Sequence, residues 1–108
     1  MKRDIAEKWI ADLRAGPLQA KQVLFNGSGH CCLGRLCVLA GLEPKYIKST
    51  RAYKFLRQRE VLPHKIRLWA GMKKTNGEYC GGFLAADNDS GKTFAEIAGI
   101  IEAHIDEL

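Results

Sequence analysis

The block from Cys31 to Ala40 carries a single charged residue, Arg35. Leu33, Leu36, Cys37 and Ala40 recur at helical spacing, which predicts a helix from about His30 to Ala40. Gly41 stands where a left-handed cap residue belongs. A helix apolar on most of its faces needs cover all round, so it belongs at the centre of a fold. Gly34 inside it costs about 1 kcal/mol against alanine. That expense implies that another backbone passes close by.

Two amphipathic segments can supply the cover. Ile5, Trp9 and Leu13 recur at i, i+4 and i+8, predicting a helix from Asp4 to Ala15. Asp4 fits an N-cap with Glu7 completing a capping box, and Gly16-Pro17 ends the element. Near the other terminus, Thr93-Phe94-Ala95-Glu96 is a capping box. Behind it Phe94, Ile97, Ile101, Ile105 and Leu108 form an inward stripe. Both segments are expected to pack on the 30–40 helix.

The remainder is less periodic. Val23-Leu24-Phe25 reads as a short strand or a buried turn. Residues 50–60 favour a third helix with Ala52, Tyr53 and Leu56 inward, although alternation of Tyr53 and Phe55 admits a strand. Pro63 suits the first turn of a short helix with Ile66, Trp69 and Ala70 inward and Gly71 as its stop. Asn76-Gly77 is a two-residue hairpin signal, pairing Met72–Thr75 with Glu78–Cys80. The expected class is mainly α, with α+β as the variant: a single domain, 1–108, of four to five helices with one short β-hairpin.

The chain has 108 residues, 46% hydrophobic and 27% charged. Those proportions suit a packed core and argue against a disordered chain. No apolar run approaches the roughly 18 residues of a membrane span, and Met1-Lys2-Arg3-Asp4 opens no signal-peptide core. The expectation is a soluble protein that remains in the cytoplasm. Three of the four cysteines, Cys31, Cys32 and Cys37, crowd into one predicted helix, and Cys80 lies apart. A disulfide-stapled secreted domain would spread them out, so they read as reduced thiols, mostly buried.

The motifs with chemical potential are weak. Zinc wants about four ligands, usually as two close pairs. Cys32 and Cys37 on one helix diverge by roughly 140°, and no second CxxC follows, so no metal or other cofactor is expected. His30 beside Cys31 points about 100° away on a helix, and no third group to orient it is evident, so no cysteine enzyme is expected either. Asp87 to Thr93 fails as an EF-hand loop, with Lys92 and Ala98 at the glycine and glutamate positions. It also fails as a phosphate loop, having Ala86 where glycine is required. It reads as a polar loop leading into a capped helix. Asn26-Gly27-Ser28-Gly29 ahead of the central helix is a weak anion-site candidate.

Charge is the informative feature. Residues 45–74 contain ten Lys/Arg and one Asp/Glu, a net +9. Residues 75–108 contain one and seven, a net −6. The cations Lys45, Lys48, Arg51, Lys54, Arg57, Arg59, Lys65, Arg67, Lys73 and Lys74 interleave with Tyr46, Tyr53, Phe55 and Trp69. Three readings follow: a solvated face neutralised by the acidic C-terminal third, a surface for an acidic protein, or a nucleic-acid face that uses phosphate contacts and base stacking.

The blocks His30-Cys31-Cys32-Leu33-Gly34-Arg35-Leu36-Cys37, Leu68-Trp69-Ala70-Gly71-Met72 and Asn88 to Ala98 resemble, in this order, a family of small bacteriophage and prophage proteins. That family shows CCLG-x-LC, WAGL and NDSG-x-[ST]-F-x-x-IA blocks. Met72 stands here where leucine is usual. The resemblance implies origin in a phage or prophage, expression in a bacterial cell, and no catalytic residues. It implies an accessory protein acting on host machinery, a defence or replication system included. The resulting expectation is a non-enzymatic protein that binds a host or phage protein through a basic surface, with nucleic acid as the alternative ligand. The binding residues would be Lys45, Lys48, Arg51, Lys54, Arg57, Arg59, Arg67, Lys73 and Lys74.

Overall fold

A computed structural model describes residues 1–108 as five α-helices and two short antiparallel strand pairs. The class is mainly α with a small β component. The stripe Ile5, Trp9, Leu13 builds α1, Arg3–Arg14, with those three side chains buried. The capping box at Thr93 starts α5, Phe94–Ala103, and both of its reciprocal hydrogen bonds form. Ile105 and Leu108 stay buried beyond the end of that helix, carried by a terminal turn.

The central apolar block becomes α2, Cys32–Leu39, with Cys31 at its N-cap and Gly41 in a left-handed conformation. The reading of Gly34 holds. A Cβ built there would lie 1.9 Å from the carbonyl oxygen of Leu24. The packing partners differ from expectation. α1 is the helix that both others share: it runs along α5 and also covers α2, while α2 meets α4, Leu84–Asp89. The physical reason is Trp9. Its ring is fully buried and its Nε1–H donates to the Cys32 carbonyl at 2.9 Å, so α1 supplies the largest core side chain and a polar tie to the start of α2.

Five local readings are overturned, one of them the polar loop from Asp87, since residues 87–89 belong to α4. Asp4 is not the N-cap of α1. Lys2 is, with no side-chain cap bond, and its backbone N–H instead donates to the Ala70 carbonyl at 2.9 Å. A tertiary bond thus sets the start, and Asp4 lies in the first turn, where it complements the helix dipole. Residues 50–60 form no helix. β1, Lys45–Ile47, pairs with β2, Ala52–Lys54, and Arg51, Leu56 and Arg57 have positive φ, which a helix forbids. Phe55, not Leu56, is the fully buried residue.

In α3, His64–Ala70, Ile66 and Ala70 occupy the buried face, and Pro63 takes the N-cap position. Trp69 sits on the flank and is 37% exposed. Finally, the ribbon is β3, Glu78–Tyr79, with β4, Gly82–Phe83, turning at Cys80-Gly81. The Asn76 and Gly77 carbonyls accept from the backbones of Ala85 and Leu84, so Asn76-Gly77 anchors the start of α4 and turns no ribbon.

One contiguous cluster of 23 buried residues joins α1, α2, α4 and α5 and reaches Phe55, Leu62 and Ile66. No helix is long and apolar enough to cross a membrane. The β1–β2 hairpin stands at the edge of this core and presents the cationic segment.

Candidate interaction surface

Strand alternation divides the hairpin into two faces. Lys45, Ile47, Ala52 and Lys54 share one, with Lys45 directly opposite Lys54 and Ile47 opposite Ala52. Tyr46 and Tyr53 share the other. The tyrosine rings meet edge-on at 5.1 Å, and Tyr53 meets Phe25 at 4.8 Å. Phe25 stacks on His30 at 4.4 Å, which in turn approaches Phe55. This row of rings ties the hairpin to the core. Burial holds the His30 pKa below its usual value, assisted by Arg35, so the ring in the row is neutral at pH 7.

Beyond β2 the chain reverses sharply. Phe55 and Gln58 exchange both backbone hydrogen bonds, at 2.9 and 2.8 Å, across the two residues Leu56 and Arg57. Their φ values are +46° and +76°. That is the geometry of a type I′ turn, which normally takes Asn-Gly. A left-handed conformation costs a side-chain-bearing residue about 1–2 kcal/mol. A backbone bond from the Leu24 N–H to the Arg59 carbonyl, at 2.8 Å, roots the turn in the core.

The cation-bearing face and this turn enclose an open groove of about 440 Å³. Ile47 and Leu56 are its apolar lining, Lys45, Lys54 and Arg57 its cationic lining, and Glu43 its one acid. Lys54, Arg57 and Arg59 continue into an adjoining hollow. Arg51 and Arg59 flank the tyrosines on the opposite face. Lys48 lies in the turn between β1 and β2. The other sequence candidates lie elsewhere. Arg67 donates to the Met72 carbonyl at 2.9 Å, and its second nitrogen lies 3.3 Å from the His64 ring. Lys73 and Lys74 line a separate hollow with Glu78, Tyr79, Cys80 and Glu107.

The acidic C-terminal third does not neutralise these cations by direct pairing. Two of its carboxylates pair with α1, Glu102 with Arg14 at 3.2 Å and Asp106 with Arg3 at 4.0 Å, and Glu107 pairs with His104 of its own segment. The most buried pair, Arg35 with Asp12 at 2.7 Å, joins α2 to α1. No Lys or Arg of residues 45–74 has a carboxylate within 4.0 Å. Lys45 directly opposite Lys54 is a destabilising like-charge pair, and neither has a carboxylate within 4.0 Å.

The thiols behave as core. Cys31, Cys32 and Cys37 are free and buried. Burial pushes the Cys31 thiol up to about 11, the Cys37 thiol up to about 12, and Cys32 well above the ordinary value. A nucleophilic cysteine needs the opposite shift. Cys80 is exposed, and its backbone N–H, not its sulfur, bonds Glu107 at 3.0 Å. No three His, Cys, Asp or Glu side chains converge into a metal-ligand set. We expect a colorimetric thiol titration at pH 8 to find one fast-reacting group, Cys80, in the folded protein, and four after denaturation. A raised folded pKa makes the neutral thiol the form that folding favours. Stability from Cys31 and Cys37 is therefore complete below the unfolded value near 9 and is lost as pH rises towards 11 to 12. Denaturation midpoints between pH 8 and 11 test that fall.

The remaining motif candidates are structural. The Asn26 side chain accepts from the N–H groups of Ser28 and Gly29. The first amides of α2 are taken by Asn88 and by the Cys31 sulfur, so no anion seat is left there. Asp87 accepts from the Tyr79 hydroxyl and Asp89 from the Gln22 N–H. The three blocks that carried the family resemblance all map onto the scaffold, and the hairpin lies outside them. Sequence reasoning missed the Leu56-Arg57 turn because neither residue type signals a turn. It missed buried Asn88 because a polar run looks like a loop.

A family model described as a domain of unknown function, DUF8296, matches residues 1–105. No curated protein and no solved structure matches the chain.

Proposed function

This chain belongs to the DUF8296 family, and we propose that it is a binding protein, a phage or prophage accessory factor whose cationic hairpin occupies an acidic surface of a host or phage protein in the bacterial cytoplasm. The observation that carries this reading is the set of unpaired cations in one groove with aliphatic side chains. Lys45, Lys54 and Arg57 have no carboxylate partner, and Ile47 and Leu56 line the same groove. A protein–protein contact combines apolar and charged groups in one patch. Inhibition of a host defence or replication system is the mode of action that the phage resemblance suggests. The buried, neutral thiols support a non-catalytic role.

Nucleic acid is the second reading, favoured by the other hairpin face. There Tyr46, 52% exposed, and Tyr53 lie beside Arg51 and Arg59, a combination suited to stacking and phosphate contact.

The test compares wild type with the double variant Lys45→Glu/Arg57→Glu. The carboxylate introduced by Lys45→Glu would face Lys54 across the strands as an opposite charge, so folding should be retained. Captured partners are then purified and titrated back. The expected result is one acidic protein whose affinity falls at least about tenfold in the variant and weakens with salt. Equal affinity of the two proteins for every purified partner refutes the reading. Tight oligonucleotide binding with a steep salt slope, lost in Arg51→Glu/Arg59→Glu, selects the second reading instead.

A further inference from the structure

We infer that the Leu56-Arg57 turn determines the specificity of the groove, and that its ligand is an acidic peptide segment carrying one apolar anchor side chain. The inference rests on the reading of the hairpin as a protein-binding face. It starts from a conflict between backbone and sequence. Leu56 and Arg57 hold φ of +46° and +76°, in a turn whose geometry suits Asn-Gly. Such outliers persist where something other than local preference retains them.

Folding does not explain the two side chains. The core needs Phe55, which is fully buried one residue earlier, and the ladder needs only the Phe55–Gln58 backbone bonds. Leu56 is 49% exposed. Arg57 has no carboxylate partner. What the turn does accomplish is placement. It brings an aliphatic side chain and a guanidinium to the groove that Ile47, Lys45 and Lys54 already line.

The lining defines the ligand. Ile47 and Leu56 are the two aliphatic side chains of the lining, which matches one apolar anchor in the ligand. Lys45, Lys54 and Arg57 share that lining and require flanking carboxylates, which an Arg can bind through two hydrogen bonds at once. Glu43 is the one acid of the lining against three cations, so the groove as a whole favours a ligand carrying carboxylates. Nucleic acid fits this face poorly, because the aromatic rings that bases stack on lie on the opposite side of the hairpin. The turn enters the encounter already folded, which limits the ordering cost of binding.

The experiment uses fluorescence anisotropy with two labelled peptides at low salt. One has a leucine flanked on both sides by glutamate and aspartate, and the other has serine in its place. Wild type should prefer the leucine peptide by about tenfold, the scale expected for burying one such side chain. The variant Leu56→Asn/Arg57→Gly has the residues this turn favours, so its melting temperature should be no lower than that of wild type. It should lose the preference while still binding weakly through Lys45 and Lys54. A preference for leucine that survives in this folded variant overturns the inference and leaves the protein-binding reading intact. So does equal affinity of wild type for the two peptides. If Lys45→Glu/Arg57→Glu binds both peptides as well as wild type, the protein-binding reading itself fails. An oligonucleotide of thymidines that outcompetes the leucine peptide from wild type overturns both.

Discussion

Replacing Gly34 with alanine should cost about 3 kcal/mol or more, enough to remove much of a small domain's stability. Helix propensity alone gives the opposite sign, a gain of about 1 kcal/mol. Geometry decides between them. The new Cβ would stand 1.9 Å from the Leu24 carbonyl oxygen and 2.8 Å from its carbon. The obstacle is backbone, so no rotamer change can relieve it. Leu24 also has nowhere to retreat. Its side chain is fully buried, its N–H donates to Arg59, and its carbonyl accepts from the Cys31 N–H. The Leu24–Arg59 bond carries the disturbance to the root of the cationic hairpin, so loosened hairpin amides should accompany the loss. Urea denaturation followed by circular dichroism measures the first effect and amide exchange the second. A Gly34→Ala protein as stable as wild type would mean that the Leu24 segment shifts freely, contrary to the close approach that the fold requires.

Asn88→Ala should be comparably damaging, at about 3 kcal/mol, the scale set by two orphaned backbone groups. Asn88 is completely buried in a sequence stretch that reads as a polar loop. Its oxygen accepts from the Cys32 N–H at 3.2 Å and from Gln19 Nε2 at 2.9 Å. Its nitrogen donates to the Ala20 carbonyl at 2.7 Å. Gln19 in turn accepts from the Phe94 N–H and donates to the Lys92 carbonyl. Two side chains thus satisfy the buried backbone where the 19–20 segment and the starts of α2 and α5 meet. Alanine orphans the Cys32 N–H and the Ala20 carbonyl, each at about 1–3 kcal/mol. Chemical denaturation gives the total. Deuterium exchange at the Cys32 amide, together with faster modification of the Cys32 thiol, locates the damage. Unchanged protection of that amide would show that water replaces the asparagine without loss.

The contrast between these two sites shows how far the sequence is legible. Gly34 announces itself, because a glycine inside an apolar helical run is expensive unless something needs the space. Asn88 does not, because Asp-Asn-Asp-Ser-Gly has the composition of a solvated turn. Only the arrival of Cys32 and Ala20 from 56 and 68 positions earlier makes its amide a core group. The hairpin is a middle case. The three-residue step of its cations argues against a single helical stripe, and Tyr53 with Phe55 alternates as a strand does. Yet helix propensity over 50–60 points the other way. Cross-strand pairing with 45–47, together with burial of Phe55, outweighs that preference. Asn76-Gly77 misleads for a related reason: a good turn dipeptide was used to anchor α4, and the ribbon turns at Cys80-Gly81 instead.

By itself the sequence determined the terminal helices, the capping box at Thr93, the buried central helix and the imbalance of charge between the middle and the end. These follow from periodicity and composition, which act over neighbouring residues and are written in the order of side chains. The tertiary structure alone decided which helix is shared, which polar residue is core, and which cations gather. It paired Glu102 and Asp106 with α1 and brought Lys45, Lys54 and Arg57 to one groove with Ile47 and Leu56. Those outcomes depend on which distant segments meet, and a burial or ion pair made across such a distance leaves no trace in local spacing.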